Sequence, residues 1–554
     1  MAPKPWRLRR EIPAGPAPWK PLAAAWDLTP AGARLAWLRG VDRPEDLAWR
    51  LDPGWHRTTD PHLLPGVDAA VARIRQALEA RERMVVYGDY DADGLTATAL
   101  LVRTLERLGA EVSWFIPDRF SDGYGLHLDC IQELKAQRDP RLLISVDCGV
   151  RSVAEVEAST ALGLDWIITD HHAPGPVLPP ACAVVHPQLG DYGNPHLAGV
   201  GVAFKLAQAL LGAAPQPGAA DAPFLDGLLK LVALGTVADM APLAGENALL
   251  VRRGLDGLAG RNAAGLAALL KSRRQDRPLG AQDIAFGLGP RLNAVGRMGS
   301  AAAAVDLLLC RDAEGAAGLM AQVEAANEAR RITQKELSRL LPPVSEAPFD
   351  LVVQEGAHRG VLGIVAGRRM RESGRPTGVC TLEDGVAHGS LRAPEGYDLG
   401  VLLARAQPFL LGGGGHRAAA GVSFPRARLP FVLEAFRTGA AAQAADRRPA
   451  PVAVDGGPGE LPEAPELARL EPFGQGFPPP LAVVEGRLQS RKPFSEHHWN
   501  LSLDGLADRL TWFAGEDRPE VTVGEHLCLA VTPQESSSWG RSWVVDQALA
   551  EAVP

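Results

Sequence analysis

Three aspartates stand on alternate positions directly after an apolar run in residues 85–94, VVYGDYDADG. Asp89, Asp91, Asp93 and the glycine that follows begin the D-x-D-x-D-G pattern of a calcium-binding EF-hand loop. That loop requires a bidentate glutamate at its twelfth position, where this sequence has Leu100. The run before the aspartates also has the character of a strand, whereas an EF-hand has a helix there. The pattern therefore argues against a calcium loop and leaves a catalytic metal site or a polar turn.

Further acidic and imidazole side chains follow other predicted strands. RLLISVD (141–147) ends in Asp147, and DWIITD (165–170) ends in Asp170, which is followed directly by His171 and His172. Asp239 comes at the end of another apolar segment. Because the carboxyl ends of parallel strands meet at one edge of a sheet, we expect these groups to lie close together.

A helix cap or a turn is the alternative role for each of these aspartates taken singly. As a set they require more, because converging carboxylates repel one another and raise each other's pKa unless a cation neutralises them. Carboxylates mixed with imidazole suit Mn²⁺, Mg²⁺ or Zn²⁺, and a set dominated by carboxylates favours Mn²⁺ or Mg²⁺. Two ions about 3.5–4 Å apart, bridged by a carboxylate, are typical of phosphoryl chemistry. The sequence thus predicts a centre of two divalent ions.

A second group of residues is suited to contact a polyanion. Four glycines precede His416 in LLGGGGHRAAAG (410–421), and the small residues after it predict the start of a helix. A flexible surface loop is the alternative for the glycine run, and a solvated surface position is the alternative for each basic residue. The candidates are Gly414 and Gly415 in this run, Ser390 and Arg392 beside a strand, Arg291, Asn293 and Arg297 in a predicted loop between helices (289–299), and Arg119 at a strand end.

The elements that position these residues begin near residue 68, where helices and short buried strands alternate. This alternation predicts an α/β fold with a doubly wound, mostly parallel sheet. Residues 225–270 have helical patterns, 304–341 predict one or two helices, and 438–451 have the composition of a linker. The predicted strands of the first sheet are 84–88, 112–116, 141–147, 165–170 and 182–187; a second α/β region covers 349–440, and short strands typical of a small barrel follow it.

Composition limits the class of protein. The 554 residues exceed a single core, so we expect about three or four domains. A net charge of −8 means that contacts with nucleic acid must come from local basic patches. Six scattered cysteines favour a reducing cytoplasm over a disulfide framework. We find no signal peptide and no apolar run long enough to span a membrane, so we expect no membrane partner.

The motifs DYDADG, SVDCG, TDHHAPG, GTVADMAPL and GGGGHRAAAG follow one another in this order along the chain. They resemble the motifs of the DHH phosphoesterases, a superfamily that includes manganese pyrophosphatases, oligonucleotide phosphatases and the RecJ single-strand exonucleases. FIPDRFSDGYGL (115–126) and GPRLNAVGRM (289–298) are similar to RecJ sequences and are not expected in pyrophosphatases. A final β-barrel points the same way, because RecJ enzymes carry an OB-like domain for single strands. Some of them continue beyond it with a further domain, and this sequence ends at Pro554.

The resemblance implies roles for the acidic residues. Asp91 and Asp93 would ligate one ion each, Asp147 would bridge the two ions, and His171 and Asp239 would complete the second site. The ions would be Mn²⁺ or Mg²⁺.

It also implies roles for the residues around the ions. Asp89 would ligate the first ion or hold its water, and His172 would contact the scissile phosphate or the first metal. His416 would approach the scissile phosphate from the second domain. The candidates for the terminal 5′ phosphate are Arg119, Arg291 and Ser390, with Arg392 nearby.

The implied fold is α/β, with a DHH-type parallel sheet, a connecting helix, a DHHA1-like domain and an OB-like barrel. The expected ranges are an N-terminal helical cap (1–60), a DHH catalytic domain (61–300), the connecting helix (301–345), a DHHA1-like substrate-binding domain (346–440) and the barrel (452–554). Trp499 and Trp512 are candidate stacking surfaces in the barrel, with core packing as the favoured alternative.

The resemblance implies a cytoplasmic exonuclease that degrades single-stranded DNA from its 5′ end by two-metal hydrolysis, in repair and recombination. A strand would thread a cleft between the two α/β domains. We expect a monomer, with a helicase and a single-strand-binding protein as partners. The alternatives are a DHH phosphatase acting on small substrates and a silent nucleic-acid-binding scaffold; the complete acidic set counts against the scaffold.

Overall fold

The computed structural model of this protein describes residues 4–212, 220–273, 278–444, 451–495, 498–513, 521–536 and 540–552. The chain divides into two units, which we describe separately. The first unit contains Met1–Asn293, Ser300–Val323 and Pro451–Pro554, and the second contains Ala294–Gly299 and Glu324–Ala450. Among the described residues, no helix combines the length and the apolar character needed to cross a lipid bilayer.

The N-terminal segment contains a strand as well as helices. The strand is β1 (Lys4–Leu8), and the helices are α1 (Lys20–Trp26), α2 (Pro30–Leu38) and α3 (Pro44–Leu51). Each helix has proline in its first turn, where the missing N–H has no partner to lose. The helical cap predicted for 1–60 thus begins with a strand, because β1 finds its partners in the C-terminal part of the chain.

A parallel sheet of five strands carries the predicted acidic edge, in the order β3-β2-β4-β5-β6. The residues of the central strands β2 and β4 are all buried, as expected for strands covered on both faces. The doubly wound sheet predicted from the alternating pattern is confirmed. Its elements are α4 (Val67–Glu79), β2 (Met84–Tyr87), α5 (Ala92–Arg107), β3 (Val112–Phe115), α6 (Leu128–Arg138), β4 (Leu142–Val146), α7 (Val153–Thr160), β5 (Asp165–Thr169) and β6 (Ala183–Val185).

A run of helices follows the sheet. They are α8 (Gly199–Leu210), α9 (Ala222–Ala238), α10 (Gly245–Ala259), α11 (Ala264–Lys271), α12 (Ala281–Asp283), α13 (Gly289–Met298), α14 (Ala302–Leu309) and α15 (Ala313–Leu340), with a π-helical turn at Ile284–Leu288. The segment 304–341 therefore forms two helices. The loop predicted for 289–299 is wrong: this stretch is α13, whose residues Leu292 and Val295 are buried one turn apart. Gly289 and Pro290 are compatible with the first turn of a helix.

The second unit has a mixed sheet in the order β10-β11-β9-β8-β7, which confirms the second α/β region. Its elements are β7 (Asp350–Val353), α16 (Arg359–Ser373), β8 (Thr377–Glu383), β9 (Val386–Arg392), α17 (Leu399–Ala406), β10 (Gly412–Gly415), β11 (Ala419–Pro425) and α18 (Leu429–Ala444). The predicted linker begins inside α18, and its residues 445–450 lie outside the described residues.

The glycine run does not lead into a helix, so that prediction is wrong. Gly412–Gly415 form the edge strand β10, which pairs in antiparallel fashion with β11. In β11, Ala420, Val422 and Phe424 are buried and alternate with less buried residues. Alternation with a period of two is typical of a half-buried strand, so the small residues here form a strand and not the predicted helix.

The C-terminal region forms a closed barrel of five strands, β13, β14, β15, β17 and β16, consistent with an OB-like fold. β1 lies parallel to β17 and to β12 at its side. Trp512 is 6% exposed and belongs to the core, as the core alternative predicts, and Trp499 is partly buried. The elements are β12 (Val452–Val454), α19 (Ala464–Leu470), β13 (Ala482–Ser495), β14 (His498–Leu503), β15 (Arg509–Phe513), β16 (His526–Ser536) and β17 (Gly540–Ala552); residues 553–554 of the predicted barrel lie outside the described residues.

Candidate metal centre

The loop between β2 and α5 contains Asp91, whose carboxylate caps the N-terminus of α5. Asp91 is the N-cap of α5, and its Oδ1 accepts hydrogen bonds from the backbone N–H groups of Asp93 (2.9 Å) and Gly94 (3.2 Å). The N–H of Ala92 donates to Oδ1 of Asn293 at 2.7 Å. The cap role considered for single aspartates is therefore real for Asp91, and the same carboxylate lies in a cluster of acidic groups.

Asp147 follows β4 in an unusual backbone conformation. Its φ is +62°, in the left-handed region that non-glycine residues rarely adopt, and its N–H donates to the carbonyl of Thr169 at 3.0 Å. Its carboxylate is buried, with Oδ1 lying 3.0 Å from Nε2 of His171. The strained turn brings this carboxylate from β4 to the histidine that follows β5.

The carboxylate of Asp93 is held by the N-terminus of α8. Its Oδ2 accepts from the N–H of Gly199 (2.6 Å) and its Oδ1 from that of Val200 (2.9 Å), where the helix dipole also favours negative charge. A Cβ atom on Gly199 would lie 2.6 Å from Oδ1 of Asp147, and one on Gly235 would lie 2.7 Å from Oδ1 of Asp93. Both glycines are required for this close approach.

Three overlapping groups of side chains bring their ligand atoms within 4.8 Å of one another. Asp147 occurs in two of them and so does His171, which places these residues between the groups. The groups are Asp89, Asp91 and Asp147; Asp93, His171 and Asp239; and Asp147, His171 and His172. The structure thus brings together all the metal ligands that the sequence predicts.

These residues fit divalent cations. Oδ1 of Asp89 is buried without a hydrogen-bond partner among the described residues. Oδ1 of Asp147 and Nε2 of His171 are also buried and, although they lie 3.0 Å apart, the geometry does not give a hydrogen bond between them or to another described group. Buried polar atoms without partners are costly, and a bound cation would satisfy all three. Carboxylate oxygens with one or two imidazoles are the donors that Mn²⁺ accepts, and Mg²⁺ binds the same carboxylates.

The acidic residues of the centre repel one another. Burial raises the pKa of Asp89, and the charge of Asp91 raises it further. Burial, followed by the neighbouring carboxylates, also raises the pKa of Asp93 and of Asp147. Burial and the charge of Asp91 raise the pKa of Asp239 to about 7. A cation is needed to keep all of them ionised at neutral pH.

The two histidines have opposite protonation. Burial and the positive charge of His172 lower the pKa of His171 to about 4, so this imidazole is neutral at pH 7 and has a lone pair for a metal. Burial lowers the pKa of His172 as well, but the hydrogen bond to Asp170 and its charge outweigh burial and raise it to about 9. His172 is therefore a cation at pH 7.

Asp170 and Tyr124 also contact the centre, although neither was predicted as a site residue. Asp170 is 1% exposed and accepts from the N–H groups of Val150 and His171, and its Oδ1 lies 2.9 Å from Nδ1 of His172. The hydroxyl of Tyr124 is 3.1 Å from the same Nδ1. The position of Asp170 at the end of β5 was a signal for this role, whereas nothing in the local sequence distinguishes Tyr124.

The predicted substrate residues of the first unit have mixed surroundings. Arg119 stacks its guanidinium over Tyr90, 4.8 Å from the ring centre, close to the acidic loop. Asn293 contacts that loop directly through the N–H of Ala92. Arg291 donates to the backbone carbonyls of Gly287 and Ser272, at 2.9 and 3.3 Å.

In the second unit, Ser390 and Arg392 lie on one face of β9, against α16. A Cβ on Gly363 of α16 would lie 2.6 Å from Nη2 of Arg392 and 3.5 Å from Oγ of Ser390. The other candidates lie on or next to the neighbouring strands. Gly414 and Gly415 of β10 pair with Gly421 and Ala420 of β11, and Gly421 also pairs with Ser390. His416 is exposed, and its N–H donates to the carbonyl of Ala419. Arg297 donates to the carbonyl of Gly360 at 3.4 Å.

Comparison with known proteins agrees with this geometry. The DHH family, N-terminal domain, matches residues 83–236, and the DHHA1 domain matches residues 348–441. The single-stranded-DNA-specific exonuclease RecJ of Thermus thermophilus is 37% identical over 538 residues, covering 94% of this chain and 75% of that protein. The chain belongs to the RecJ family.

RecJ of Escherichia coli is 35% identical over 86% of this chain and 87% of its own length. The chain spans about half of the Bacillus subtilis RecJ, which is 38% identical and covered to 52%. The crystal structure of Thermus thermophilus RecJ in complex with Mn²⁺ superposes with a TM-score of 0.83 and 32% identity, covering 99% of this chain and 80% of that chain.

Proposed function

We propose that this protein is a metal-dependent exonuclease that degrades single-stranded DNA from the 5′ end to mononucleotides, in DNA repair and recombination. The observation that carries the proposal is the convergence of buried carboxylates and a neutral imidazole at the carboxyl edge of the parallel sheet, in a chain of the RecJ family. Related RecJ structures are complexes with Mn²⁺ and with Mg²⁺. Two such ions are the proposed cofactors.

Two of the ligand groups are the proposed ion sites. Asp89, Asp91 and Asp147 would hold one ion, and Asp93, His171 and Asp239 would hold the other, with Asp147 close enough to His171 to be shared. When bound, the ions supply positive charge for the phosphoryl transition state and lower the pKa of water so that it can attack phosphorus.

The protein's own groups orient the reaction. The α8 amides hold both oxygens of Asp93, which fixes this ligand and offsets part of the rise in its pKa that burial causes. Asp170 holds Nδ1 of His172 and maintains its charge, so Nε2 can donate a hydrogen bond to a phosphate oxygen in the transition state. His172 is accordingly the proposed electrostatic contact of the scissile phosphate.

The proposed DNA contacts are distributed over both units. Arg119 in the first unit and Ser390 with Arg392 in the second are proposed to bind the terminal 5′ phosphate, and His416 is proposed to contact the phosphate that is cleaved. Arg291, Asn293, Arg297, Gly414 and Gly415 also stay proposed substrate contacts; for Arg291 and Asn293, the backbone contacts described above support a role in holding their own segments as well.

The proposed domains are the N-terminal segment (1–60), the catalytic domain (61–300), the connecting helix (301–345), the substrate-binding domain (346–440) and the barrel (452–554). We further propose a cytoplasmic monomer that acts with a helicase and a single-strand-binding protein. The absence of disulfides among the six free cysteines supports a reducing compartment.

Digestion of long single strands labelled at either end tests the function. We expect Mn²⁺- or Mg²⁺-dependent release of mononucleotides from a 5′-labelled strand at early times, with the 3′ label retained in shortening fragments and duplex left intact. A small-substrate phosphatase would instead hydrolyse dinucleotides or pyrophosphate and leave the long strand. Activity that persists after chelation and in Asp147→Asn would exclude the proposal.

A further inference from the structure

Asn247, near the start of α10, connects two segments that carry parts of the metal centre. It is 1% exposed. Its Nδ2 donates to the carbonyl of His196 at 2.6 Å and to the carbonyl of Pro242 at 3.0 Å. Its Oδ1 accepts from the amide of Asn194 at 2.9 Å. The buried side chain of Asn247 therefore connects the segment that contains Asn194 and His196 with the turn that contains Pro242.

The first of these segments leads to Asp93. His196 lies three residues before Gly199, the first residue of α8. The amides of Gly199 and Val200 hold the two carboxylate oxygens of Asp93. A displacement of residues 194–198 would therefore move the groups that orient this ligand.

The second segment leads from Asp239. Met240 follows it with a φ of +62°, and this left-handed residue turns the chain so that Pro242 comes back toward α10. A methionine in this conformation is strained and persists only where its surroundings hold it. The N–H of Leu243 donates to the carbonyl of Gln475. The hydrogen bond from Asn247 to the carbonyl of Pro242 also connects this turn to the segment before α8, because the same side chain bonds to that segment.

We propose that Asn247 is a positioning residue for one of the two ions, the one assigned to Asp93, His171 and Asp239. It holds the turn after Asp239 and the segment before the α8 amides at a constant separation, so that Asp239 and Asp93 reach the same ion. The group of Asp89, Asp91 and Asp147 contains no residue on either segment. This inference rests on the proposed two-metal function. It predicts that loss of Asn247 affects the binding of one ion and not of the other.

Titration of the metal-free full chain with Mn²⁺ alone, followed by the electron paramagnetic resonance of free Mn²⁺, tests this without DNA. We expect Asn247→Ala to lower the affinity for one of the two Mn²⁺ ions by about 10–100-fold, the effect typical of groups that orient metal ligands. The affinity for the other ion should stay within about twofold of that of the parent. Asn262→Ala is the matched control, because Asn262 also donates its Nδ2 to two carbonyls, those of Leu258 and Gly260 at the other end of α10. It should change neither affinity.

Two ligand variants identify the ion. In Asp239→Asn, the affected ion is already weakened, so adding Asn247→Ala should change its affinity by less than about twofold. In Asp91→Asn, where asparagine still caps α5, adding Asn247→Ala should weaken the remaining ion by the same factor as in the parent. Equal weakening of both ions in Asn247→Ala, or no weakening of either, would overturn the inference.

A folding defect does not leave the question open. Asn247→Asp keeps the shape but places a carboxylate oxygen opposite two carbonyls, and we expect the same selective loss. If neither Asn247 variant folds, Asn194→Ala decides: selective weakening of the same ion by more than about twofold supports the inference, and unchanged affinities overturn it. A parent chain that binds two Mn²⁺ but cleaves no DNA would refute the nuclease function while leaving this test intact.

Discussion

At the residue scale, Asp147 combines two unfavourable features of the metal centre. It combines a left-handed backbone with a carboxylate whose pKa is raised by burial and then by the charges of Asp93, Asp91 and Asp89. Both features disfavour the folded, metal-free protein. The same residue is shared between two of the ligand groups, where a cation would offset both costs.

Replacing Asp147 with asparagine should separate activity from stability. Asparagine tolerates the left-handed conformation, so the turn should survive. Nuclease activity should fall by about 10²–10³-fold or more, because a shared negative ligand is lost. A carboxylate whose pKa is raised on folding lowers stability at pH 7, so the free energy of unfolding in EDTA should rise when asparagine replaces it. Urea unfolding measures this, and a lower stability in EDTA would contradict it.

Asp170 sets the charge of His172, which gives a prediction for pH. With Asp170 in place, the pKa of His172 is about 9, so its cation is present across neutral pH. In the metal-free Asp170→Asn chain this pKa should fall, because burial still lowers it and the opposing charge is gone. The variant should therefore lose the His172 cation at a lower pH than the parent, in which the pKa is about 9. NMR titration of the His172 ring in the two metal-free chains measures this, and equal pKa values would show that Asp170 does not set the charge of His172.

At the element scale, helix ends rather than helix faces build the centre. Asp91 caps the N-terminus of α5, α8 presents its first amides to Asp93, and Asp239 is the C-cap of α9. The positive end of α8 offsets part of the repulsion among the carboxylates. The strands supply the remaining ligands where they end, so the ligands come from rigid elements on several sides.

Gly199→Ala should disturb this arrangement at the start of α8. The new Cβ would lie within 3 Å of the Asp147 carboxylate, which is buried and cannot move away freely. We expect a loss of about 1–3 kcal/mol in stability and about 10–100-fold in Mn²⁺ affinity. Gly227→Ala in α9 is the control, since nothing lies within 4 Å of its Cβ, and it should stabilise the protein by about 0.5–1 kcal/mol. Thermal unfolding and Mn²⁺ titration of both variants compare them; equal behaviour would exclude steric control by Gly199.

At the scale of the whole molecule, the two ends of the chain belong to one unit of the structure. β1 lies between β12 and β17, and the buried Asp455 after β12 accepts from Arg9 and Arg39 of the N-terminal segment. Arg50 of α3 donates to the carbonyls of Pro472 and Leu243, the latter in the turn after Asp239. The N-terminal segment thus contacts both the region before the barrel and the turn that follows Asp239.

Asp455→Ala should therefore destabilise the first unit strongly. It leaves Arg39, which is fully buried, without its carboxylate, and we expect a loss of about 3–5 kcal/mol in the free energy of unfolding. Asp42→Ala removes the exposed partner of Arg10 and should cost less than about 1 kcal/mol. Denaturant unfolding of the two variants tests the difference. Similar losses would mean that the buried network contributes no more than a surface pair.

Local patterns were sufficient for the parallel sheet and failed for two short segments. Strands such as β2 and β4 are continuous apolar runs between helical patterns, which is typical of strands covered on both faces. α13 and β11 were misjudged because glycine, proline and alanine are compatible with several conformations. For α13 the burial of Leu292 decided the outcome, and for β11 the pairing with β9 did so.

The donor types, their attachment to strand ends and the need for a cation could be read from the amino acids alone, because apolar periodicity is a local property and parallel strands bring their carboxyl ends to one edge of a sheet. The partners of each donor could not. Gly199, Asn247 and Asp170 acquire their roles from contacts between segments as much as 106 residues apart, such as the bond from Gly199 to Asp93. The left-handed turn at Asp147 and the neutral state of His171 likewise arise from burial, which exists only once the chain has folded.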